Sequence, residues 1–278
     1  MSDIFELSDR YIVDTAELDP MLATFWGMPG HDAELTDYSP EGWARRLDLQ
    51  RRIIRSIDDL GDVSRRDRIA ADVLRERATA ERDLIESGEY HRWLNVANTF
   101  HQYVREVFDF MPRDTDQDWT NIRLRLAAVP QALDRLRASF MHAAADGKVA
   151  ARRQAVACAD ACEVWGQPGG AFCELASECT SFDLMSEAEQ AARAFVDYGQ
   201  WLRTDYAAIA SPEDPVGSER YRLLVRYHNG TDLDLTETYD WGWEELHTIQ
   251  LRMEELVSRI APGATLPECT ARLKADPR

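Results

Sequence analysis

Residues 39–61 read SPEGWARRLDLQRRIIRSIDDLG, and this stretch carries all the signals of a complete helix. The pair Ser39-Pro40 marks the start, because a serine oxygen caps free N–H groups and proline fits a first turn that needs no N–H from it. Large apolar side chains then return at helical spacing, and Gly61 marks the end. The stretch therefore predicts an amphipathic helix, whose apolar side carries Trp43, Leu47, Ile54 and Ile57.

The same start signals recur along the chain, whereas signals for strands are nearly absent. Asp19 stands directly before a proline, and Ser64 with Asp67 has the spacing of a capping box. Asn98 is predicted to cap a helix with the sequence FHQYVREVFDF, and Pro130 is predicted to kink or break a longer helix. A further capping box is predicted at Ser186 with Glu189, and Thr265 with Glu268 around Pro267 predicts the start of a last helix.

These signals predict an all-α fold, a multi-helix array or bundle of about ten helices with no significant sheet. Residues 1–278 are expected to form a single helical region. Two segments rich in glycine or proline are expected to interrupt it as flexible breaks, GQPGG at 166–170 and SPEDPVG at 211–217.

Charge and composition argue against two classes of partner. The 278 residues are 45% hydrophobic with a formal net charge of −18, which is typical of a soluble globular chain with a sizeable core. Phosphate backbones and anionic membranes repel such a chain, so no nucleic acid and no membrane partner is expected. No apolar run approaches the ~18 residues of a membrane span, and the N-terminus lacks the core of a signal peptide. A cytoplasmic location is therefore expected.

The histidines do not follow the patterns of zinc enzymes. A zinc-hydrolase helix carries two histidines four residues apart with a glutamate beside the first, and no pair in this chain has that spacing. Glu244 and His247 form one Glu-x-x-His pair, but the repeat used by di-metal bundles is missing. No metal ligands and no catalytic residues are assigned from the sequence. A metal-dependent hydrolase with a non-standard site that includes Glu244 and His247 stays open as an alternative.

The five cysteines are expected to be free thiols in a reducing cytosol. Their spacing, C-x3-C-x10-C-x5-C for the first four, fits no zinc pattern, and cysteine is commonly a small apolar core residue. The positions are Cys158, Cys162, Cys173, Cys179 and Cys269.

Residues 237–249, ETYDWGWEELHTI, concentrate aromatic and acidic side chains in one predicted helix start. Helix capping and packing explain such a cluster, because acidic residues favour the first turn and tryptophans usually pack between helices. The alternative is a substrate cleft. Its candidate lining residues are Tyr239, Trp241, Glu244, Glu245 and His247.

Several segments together resemble one family of bacterial proteins. They are the stretch 5–42, with DPMLATFWGMPGHD at its centre; LNVANTFHQYVREVFDFMPRDTDQDW at 94–119; RLAAVPQALDRLRASF at 125–140; and 219–249, which ends in ETYDWGWEELHTI. In this order they resemble the DUF885 family over essentially the whole chain. The resemblance implies a helical scaffold similar to zinc metallopeptidases. The family's presumed metal-binding segment, H-E-x-x-P-G-H-H, lies in a second half beyond the matching part. The PGH at 29–31 has no His-Glu before it, so metal binding is not assigned to His31.

The resemblance implies that this chain corresponds to the N-terminal half of a DUF885-type hydrolase. Without the zinc-binding His-Glu segment it is expected to be inactive by itself, or active only with a second half. Zinc is expected for full-length relatives and no cofactor for this chain. The expected partners are the missing C-terminal half or further copies of the chain. A helical module that binds peptides without catalysis is the other alternative.

Overall fold

The computed structural model describes residues 3–61 and 64–276, and its regular elements are helices. Within these residues there are thirteen α-helical segments and no strand, and the single β-type contact is an isolated parallel bridge between Ala151 and Ser211. The predicted all-α fold is confirmed. The segments are α1 (Asp3–Leu18), α2 (Pro20–Phe25), α3 (Pro40–Asp58), α4 (Arg65–Ser87), α5 (Phe100–Glu106), α6 (Asp116–Ala145), α7 (Arg152–Trp165), α8 (Ala171–Glu178), α9 (Met185–Trp201), α10 (Ala207–Ile209), α11 (Ser218–Asn229), α12 (Leu235–Ile260) and α13 (Leu266–Ala275).

Three short irregular turns extend these helices. Glu89–Arg92 forms a 3₁₀ turn after α4, and Val107–Asp109 forms another after α5. Leu202–Tyr206 is a π-helical turn that joins α9 to α10. The chain divides into two compact units, Met1–Gly230 and Thr231–Arg278. This boundary coincides with neither predicted break, since 166–170 lies between α7 and α8 and 211–217 lies between α10 and α11.

The first unit is built around α6 and α9. Buried residues of α6, among them Leu126 and Leu133, share one large apolar cluster with Phe195 of α9 and with Cys158 and Cys162 of α7. A smaller cluster joins α1, α3 and α4. Close packing of side chains in such clusters is the main source of stability for helices of this length.

Helix α9 approaches α7 closely at a glycine. A Cβ atom at Gly199 would lie 3.0 Å from the carbonyl oxygen of Ala159 and 3.0 Å from Cβ of Cys162. Both distances are shorter than ordinary van der Waals contact, so a larger side chain would force the two helices apart.

The helix starts predicted from the sequence are largely confirmed. Ser39 Oγ accepts a hydrogen bond from the Gly42 N–H at 3.1 Å, and Asp19 Oδ1 accepts one from the Leu22 N–H at 3.0 Å. Ser64 caps α4 in the same way. The capping box of Thr265 with Glu268 is also present, at the start of α13 in the second unit.

Three local predictions are wrong. Helix α6 is not broken at Pro130, because Val129 and Leu133 near the proline are buried against neighbouring helices and that packing offsets the missing hydrogen bond. Helix α9 begins at Met185 without a side-chain cap, since Asp183 accepts the Met185 N–H and the predicted Ser186 box does not form. Helix α5 is capped by Thr99, one residue after the predicted cap.

A buried arginine holds the irregular loop between α2 and α3. Arg125 of α6 has no exposed surface, and its Nε donates to the carbonyl oxygen of Glu34 at 2.9 Å. Its Nη2 donates to the His31 carbonyl at 3.0 Å and to Thr24 Oγ1 at 2.8 Å. Burial lowers the pKa of Arg125 to about 10, so the guanidinium stays charged at neutral pH. The loop is thus fixed by backbone contacts to one side chain.

The second unit consists of α12 and α13. Its buried apolar cluster contains Val257, Ala261 and Cys269. Asp234 caps α12, where Oδ1 accepts the N–H groups of Thr236 and Glu237 at 2.9 and 3.0 Å. Across both units, none of the described helices combines the length and the apolar character that crossing a bilayer requires.

Candidate functional site

The first unit contains a cavity of about 810 Å³ between α1, α2, α3, α4, α5 and α11. Its lining is predominantly apolar, with a few charged and amide groups. Deep apolar pockets with a small number of polar groups are the usual form of a small-molecule or side-chain binding site. Ten aromatic residues line it: Tyr11, Phe25, Trp26, Tyr38, Trp43, Tyr90, Trp93, Phe100, Tyr103 and Tyr227.

The aromatic rings of this wall pack against one another. Trp43 of α3 stacks on Tyr90 with 4.8 Å between ring centroids, and Tyr90 in turn stacks on Trp93 at 5.7 Å. Phe100 meets the Trp43 ring edge-on at 5.2 Å. Such pairs add to the stability gained from burial and limit ring rotation. The wall is therefore a preformed surface.

Arg46 brings a positive charge into this wall. Its guanidinium lies over the rings of Trp43 and Tyr38, 4.8 and 4.9 Å from their centroids. Nη2 donates to the Leu18 carbonyl at 3.3 Å and lies 3.6 Å from Asp19 Oδ2. Within the described part of the chain, Arg46 Nη1 and Trp43 Nε1 are buried without a hydrogen-bond partner.

Glu81 of α4 brings a carboxyl group into the same cavity. Tyr90 donates a hydrogen bond to Glu81 Oε2 at 2.7 Å, and Tyr227 of α11 belongs to the same network. Burial raises the pKa of Glu81, and the hydrogen bond from Tyr90 offsets only part of that effect. A carboxyl group with a raised pKa inside a cleft is a common feature of functional sites, although structural networks also produce it.

Two further contacts complete the polar part of the lining. Tyr11 of α1 donates to Gln50 Oε1 at 2.9 Å. Arg77 of α4 lies over the Tyr227 ring, 4.7 Å from the centroid, and donates to the Tyr227 carbonyl oxygen. The cavity thus carries two guanidinium groups, of Arg46 and Arg77, two carboxyl groups, of Asp19 and Glu81, and the amide of Gln50 on an aromatic surface.

A second cavity of about 560 Å³ lies on the other side of the Glu89–Arg92 turn. Glu89 is 4% exposed, and both its oxygens accept from Arg220, at 2.7 and 2.9 Å. Arg92 donates to the same carboxylate at 2.9 Å. The central charged groups of the second cavity are therefore paired with one another. This makes the second cavity a weaker candidate for binding than the aromatic cavity. Trp93 lines both cavities.

The residues proposed from the sequence as a cleft lie together on α12 in the second unit. Tyr239 and Trp241 are 63% and 60% exposed, and the ring of Tyr239 meets Trp243 edge-on at 6.1 Å. Glu244, Glu245 and His247 are exposed as well. Their role in binding a substrate stays a prediction.

Residues 3–61 and 64–276 contain no group of three or more histidine, cysteine, aspartate or glutamate side chains arranged to hold a metal ion. Glu244 and His247 gain no third ligand from this part of the chain. Cys158 and Cys162 are buried in the core, and burial raises the pKa of Cys158 to about 12. These two thiols are packing residues.

Sequence reasoning missed the residues that form the aromatic cavity. Arg46 and Gln50 lie three and seven residues after Trp43, on the same side of α3, so a charged residue on the buried face was a signal present in the sequence. Glu81 gave no such signal, because nothing in the sequence shows that Tyr90 and Tyr227 come close to it.

Two comparisons place the chain among known proteins. The sequence profile of a family described as "Bacterial protein of unknown function (DUF885)" matches residues 20–278. A solved structure described as "The crystal structure of the putative lipoprotein from Colwellia psychrerythraea" has a similar fold, with a TM-score of 0.73 and 16% sequence identity. The match covers 100% of this chain and 55% of that one, so the chain spans about half of its length. At this identity the likeness concerns the fold alone. No curated protein matches.

Proposed function

The chain belongs to the DUF885 family, and from this premise we propose that it forms the helical, ligand-binding part of a hydrolase-type protein of that family. In this proposal the aromatic cavity of the first unit receives an apolar side chain of a peptide. The cavity is the observation that carries the proposal. Its volume of about 810 Å³ lies within the range of roughly 300–1,000 Å³ that small-molecule sites occupy.

The chemistry of the lining supports a ligand with both apolar and polar parts. The stacked rings of Trp43, Tyr90 and Trp93 offer broad apolar surfaces. Arg46, Glu81 and Gln50 supply groups that fix the orientation of a peptide backbone or terminus. Aromatic side chains contribute large contact areas at low cost in conformational entropy, which suits recognition of a bulky side chain.

We propose that the chain by itself binds such peptides without hydrolysing them. The residues described do not fit a zinc site, so no step through zinc is derived for this chain. Because the family resembles zinc metallopeptidases, we also propose that the chain takes part in hydrolysis only together with a second half or with further copies of itself. A cytoplasmic location also stays a prediction, and cell fractionation is the measurement for it.

The test of binding uses a variant that fills the cavity. Ala70 of α4 lines the cavity and makes no side-chain hydrogen bond, so Ala70→Phe should occupy the space and leave the polar contacts intact. We expect tripeptides with a bulky apolar residue to bind the natural protein, measured by calorimetry, and to bind Ala70→Phe at least about tenfold more weakly. Losing the burial of a few apolar groups accounts for that factor.

The matched control is Ala127→Phe, which adds the same ring at an exposed position of α6 outside the cavity. Its affinity for the tripeptides should equal that of the natural protein. Equal affinity of Ala70→Phe and Ala127→Phe would show that the peptides bind elsewhere. If the chain alone hydrolysed the same peptides and a chelator abolished this activity, the proposal that it binds peptides without hydrolysing them would be wrong.

A further inference from the structure

Helix α12 of the second unit carries a regular apolar stripe along its whole length. Apolar or small side chains recur on it at alternating spacings of four and three residues, which is the pattern of a coiled-coil seam. With Tyr239 as position a of the seven-residue repeat abcdefg, the a and d positions form one set, which we call the α12 seam. It consists of Leu235, Tyr239, Gly242, Leu246, Ile249, Met253, Leu256 and Ile260.

The α12 seam is open to solvent. Its six large side chains from Tyr239 to Ile260 are between 38% and 63% exposed. Val257 is the one buried residue along Leu235–Ile260, and it lies at position e, where it packs with Cys269 of α13. Helix α13 therefore covers a flank of the seam and leaves the seam itself free. Apolar surfaces of this extent mark sites of association between proteins.

The seam is complementary to a second copy of itself that runs in the opposite direction. When two copies overlap end to end over Leu235–Ile260, each a position lies opposite a d position of the other copy. Leu246 of one copy then lies opposite Ile249 of the other, and two-fold symmetry repeats the contact. Gly242 lies opposite Met253, so the longest side chain of the seam meets the position that leaves most room.

The charges beside the seam favour the same antiparallel direction. In this register g positions face each other, so Glu245 of each copy lies opposite Arg252 of the other and two pairs of opposite charge form. Both side chains are exposed on α12 and are accessible to a second copy. A parallel pair would bring Glu245 near Gln250 instead. It would bring Arg252 near Val257 and would contain neither ion pair.

We propose that two copies of the chain associate through the α12 seam as an antiparallel, two-fold symmetric pair of helices. The pairing extends over 26 residues, or about 39 Å of helix. The inference goes beyond the binding function proposed above, because the aromatic cavity is lined by residues of the first unit. Self-association and peptide binding are therefore tested separately.

The test measures the mass of the full chain by sedimentation equilibrium over a range of concentrations. It is made at about 0.15 M salt, where repulsion between two chains of net charge −18 is screened beyond about 8 Å. We expect a monomer–dimer equilibrium with a dissociation constant of about 10 µM or lower.

Two matched variants locate the interface on the seam. Ile249→Lys places a charge at the centre of the seam, and we expect it to weaken the dimer at least about a hundredfold, because the ammonium would lose its hydration. Leu251→Lys is the control. Leu251 is 53% exposed, against 51% for Ile249, but lies at position f outside the seam. The dissociation constant of this control should equal that of the natural protein.

Charge reversal tests the direction of the pair. Glu245→Arg and Arg252→Glu each place like charges opposite one another, and each should weaken the dimer at least about tenfold. The double variant exchanges the two charges and should restore the natural dissociation constant. In a parallel pair these two positions do not face each other, and the double variant would restore nothing.

The outcomes decide between a second copy and other occupants of the seam. A natural chain that stays monomeric at about 100 µM would overturn the inference and leave the seam to a different protein. An undiminished dimer in folded Ile249→Lys would also overturn it, since the interface would then lie elsewhere. Circular dichroism and thermal unfolding establish that each variant folds, and the charge reversals keep the test decisive if Ile249→Lys does not fold. A monomeric chain that still binds the tripeptides would overturn this inference alone.

Discussion

His101 is a fully buried histidine in the core of the first unit. Its Nδ1 shares a hydrogen bond with Thr99 Oγ1 at 2.7 Å, and its ring lies 5.9 and 5.8 Å from those of Trp165 and Tyr198. Burial lowers the pKa of His101 to about 3, because the charged imidazolium would lose its hydration. Folding therefore requires the neutral form.

This pKa predicts a loss of stability in mild acid. The folded pKa is depressed, so the contribution of His101 is present above the unfolded pKa of about 6.5 and is lost as the pH falls toward 3. Between pH 7 and 5 the loss is about 2 kcal/mol. The free energy of unfolding is measured in urea at pH 7 and at pH 5. Its decrease between these two pH values should be about 2 kcal/mol smaller in His101→Gln than in the natural protein.

His247→Gln is the control for this measurement. His247 is exposed on α12 and acts on neither His91 nor His101, so the substitution should leave the pH dependence of the natural protein unchanged. His91 has a pKa lowered to about 4 by burial and remains in both variants, so part of the acid sensitivity persists. A pH dependence in His101→Gln equal to that of the natural protein would contradict the assignment.

Features that depend on a residue and its near neighbours in sequence could be predicted, whereas features that depend on distant residues could not. Ser39 and Asp19 cap helices as predicted, because a cap depends on neighbours two or three residues away. Glu81 could not be assigned, because the residues around it come from several separate elements. Pairings over long sequence distances, such as Arg125 with the His31 carbonyl, leave no pattern in a single sequence.

At the scale of elements, α11 differs from the other long helices of the first unit because it has no buried residue. Charged contacts to α4 hold it. Arg226 donates to both oxygens of Glu76, each at 2.7 Å, and this contact lowers the pKa of Glu76. Arg220 holds the preceding turn of α11 to Glu89. Glycines with positive φ, Gly217 and Gly230, stand at its two ends.

Such a helix should open more easily when a charged contact is removed. Arg226→Gln loses the paired hydrogen bonds to Glu76, and amide exchange of residues 218–229 should become about tenfold faster, as measured by mass spectrometry. High salt should accelerate exchange in the natural protein in the same direction, because partly exposed pairs are screened.

Arg222→Gln is the matched control on the same helix, since Arg222 is exposed. Its exchange should equal that of the natural protein, whereas equal exchange in both variants would mean that apolar contacts such as those of Leu223 and Leu224 hold α11.

Helix type and most helix starts followed from the sequence, because caps and apolar periodicity are local. The failures at α6 and α9 have different causes. At α9 the cause is local, since Asp183 accepts the Met185 N–H in place of the predicted Ser186 box. Pro130 should have ended a helix by its local chemistry, yet Val129 and Leu133 are buried beside it, and burial of that size outweighs the lost hydrogen bond. Tertiary packing therefore overrides local preference where a long helix lies in the core.

At the scale of the whole molecule, the large buried cluster and the smaller one of α1, α3 and α4 lie entirely within the first unit. The cluster around α6, α7 and α9 and the cluster of α1, α3 and α4 contain no buried residue beyond Ala210. The cluster in Thr231–Arg278 has three buried residues, Val257, Ala261 and Cys269. So small a core supplies little stability to a segment of this length.

We therefore expect a chain that ends at Gly230 to fold. Its thermal unfolding midpoint should stay within about 4 °C of that of the natural protein, since that shift corresponds to about 1 kcal/mol. Residues 231–278 alone should show little cooperative unfolding. A chain that ends at Val216 also lacks α11 and serves as the control, with a lower midpoint expected. Loss of cooperative unfolding in the chain ending at Gly230 would contradict this division of stability.

Trp93 lines both the aromatic cavity and the second cavity, which contains Glu89 and Arg220. A ligand in one space that displaces this indole would also change the shape of the other space. Two ligands, one in each space, would therefore sense each other through a single ring. A titration with one compound in the presence of a second would register this as a changed apparent affinity, equal in size whichever of the two is varied.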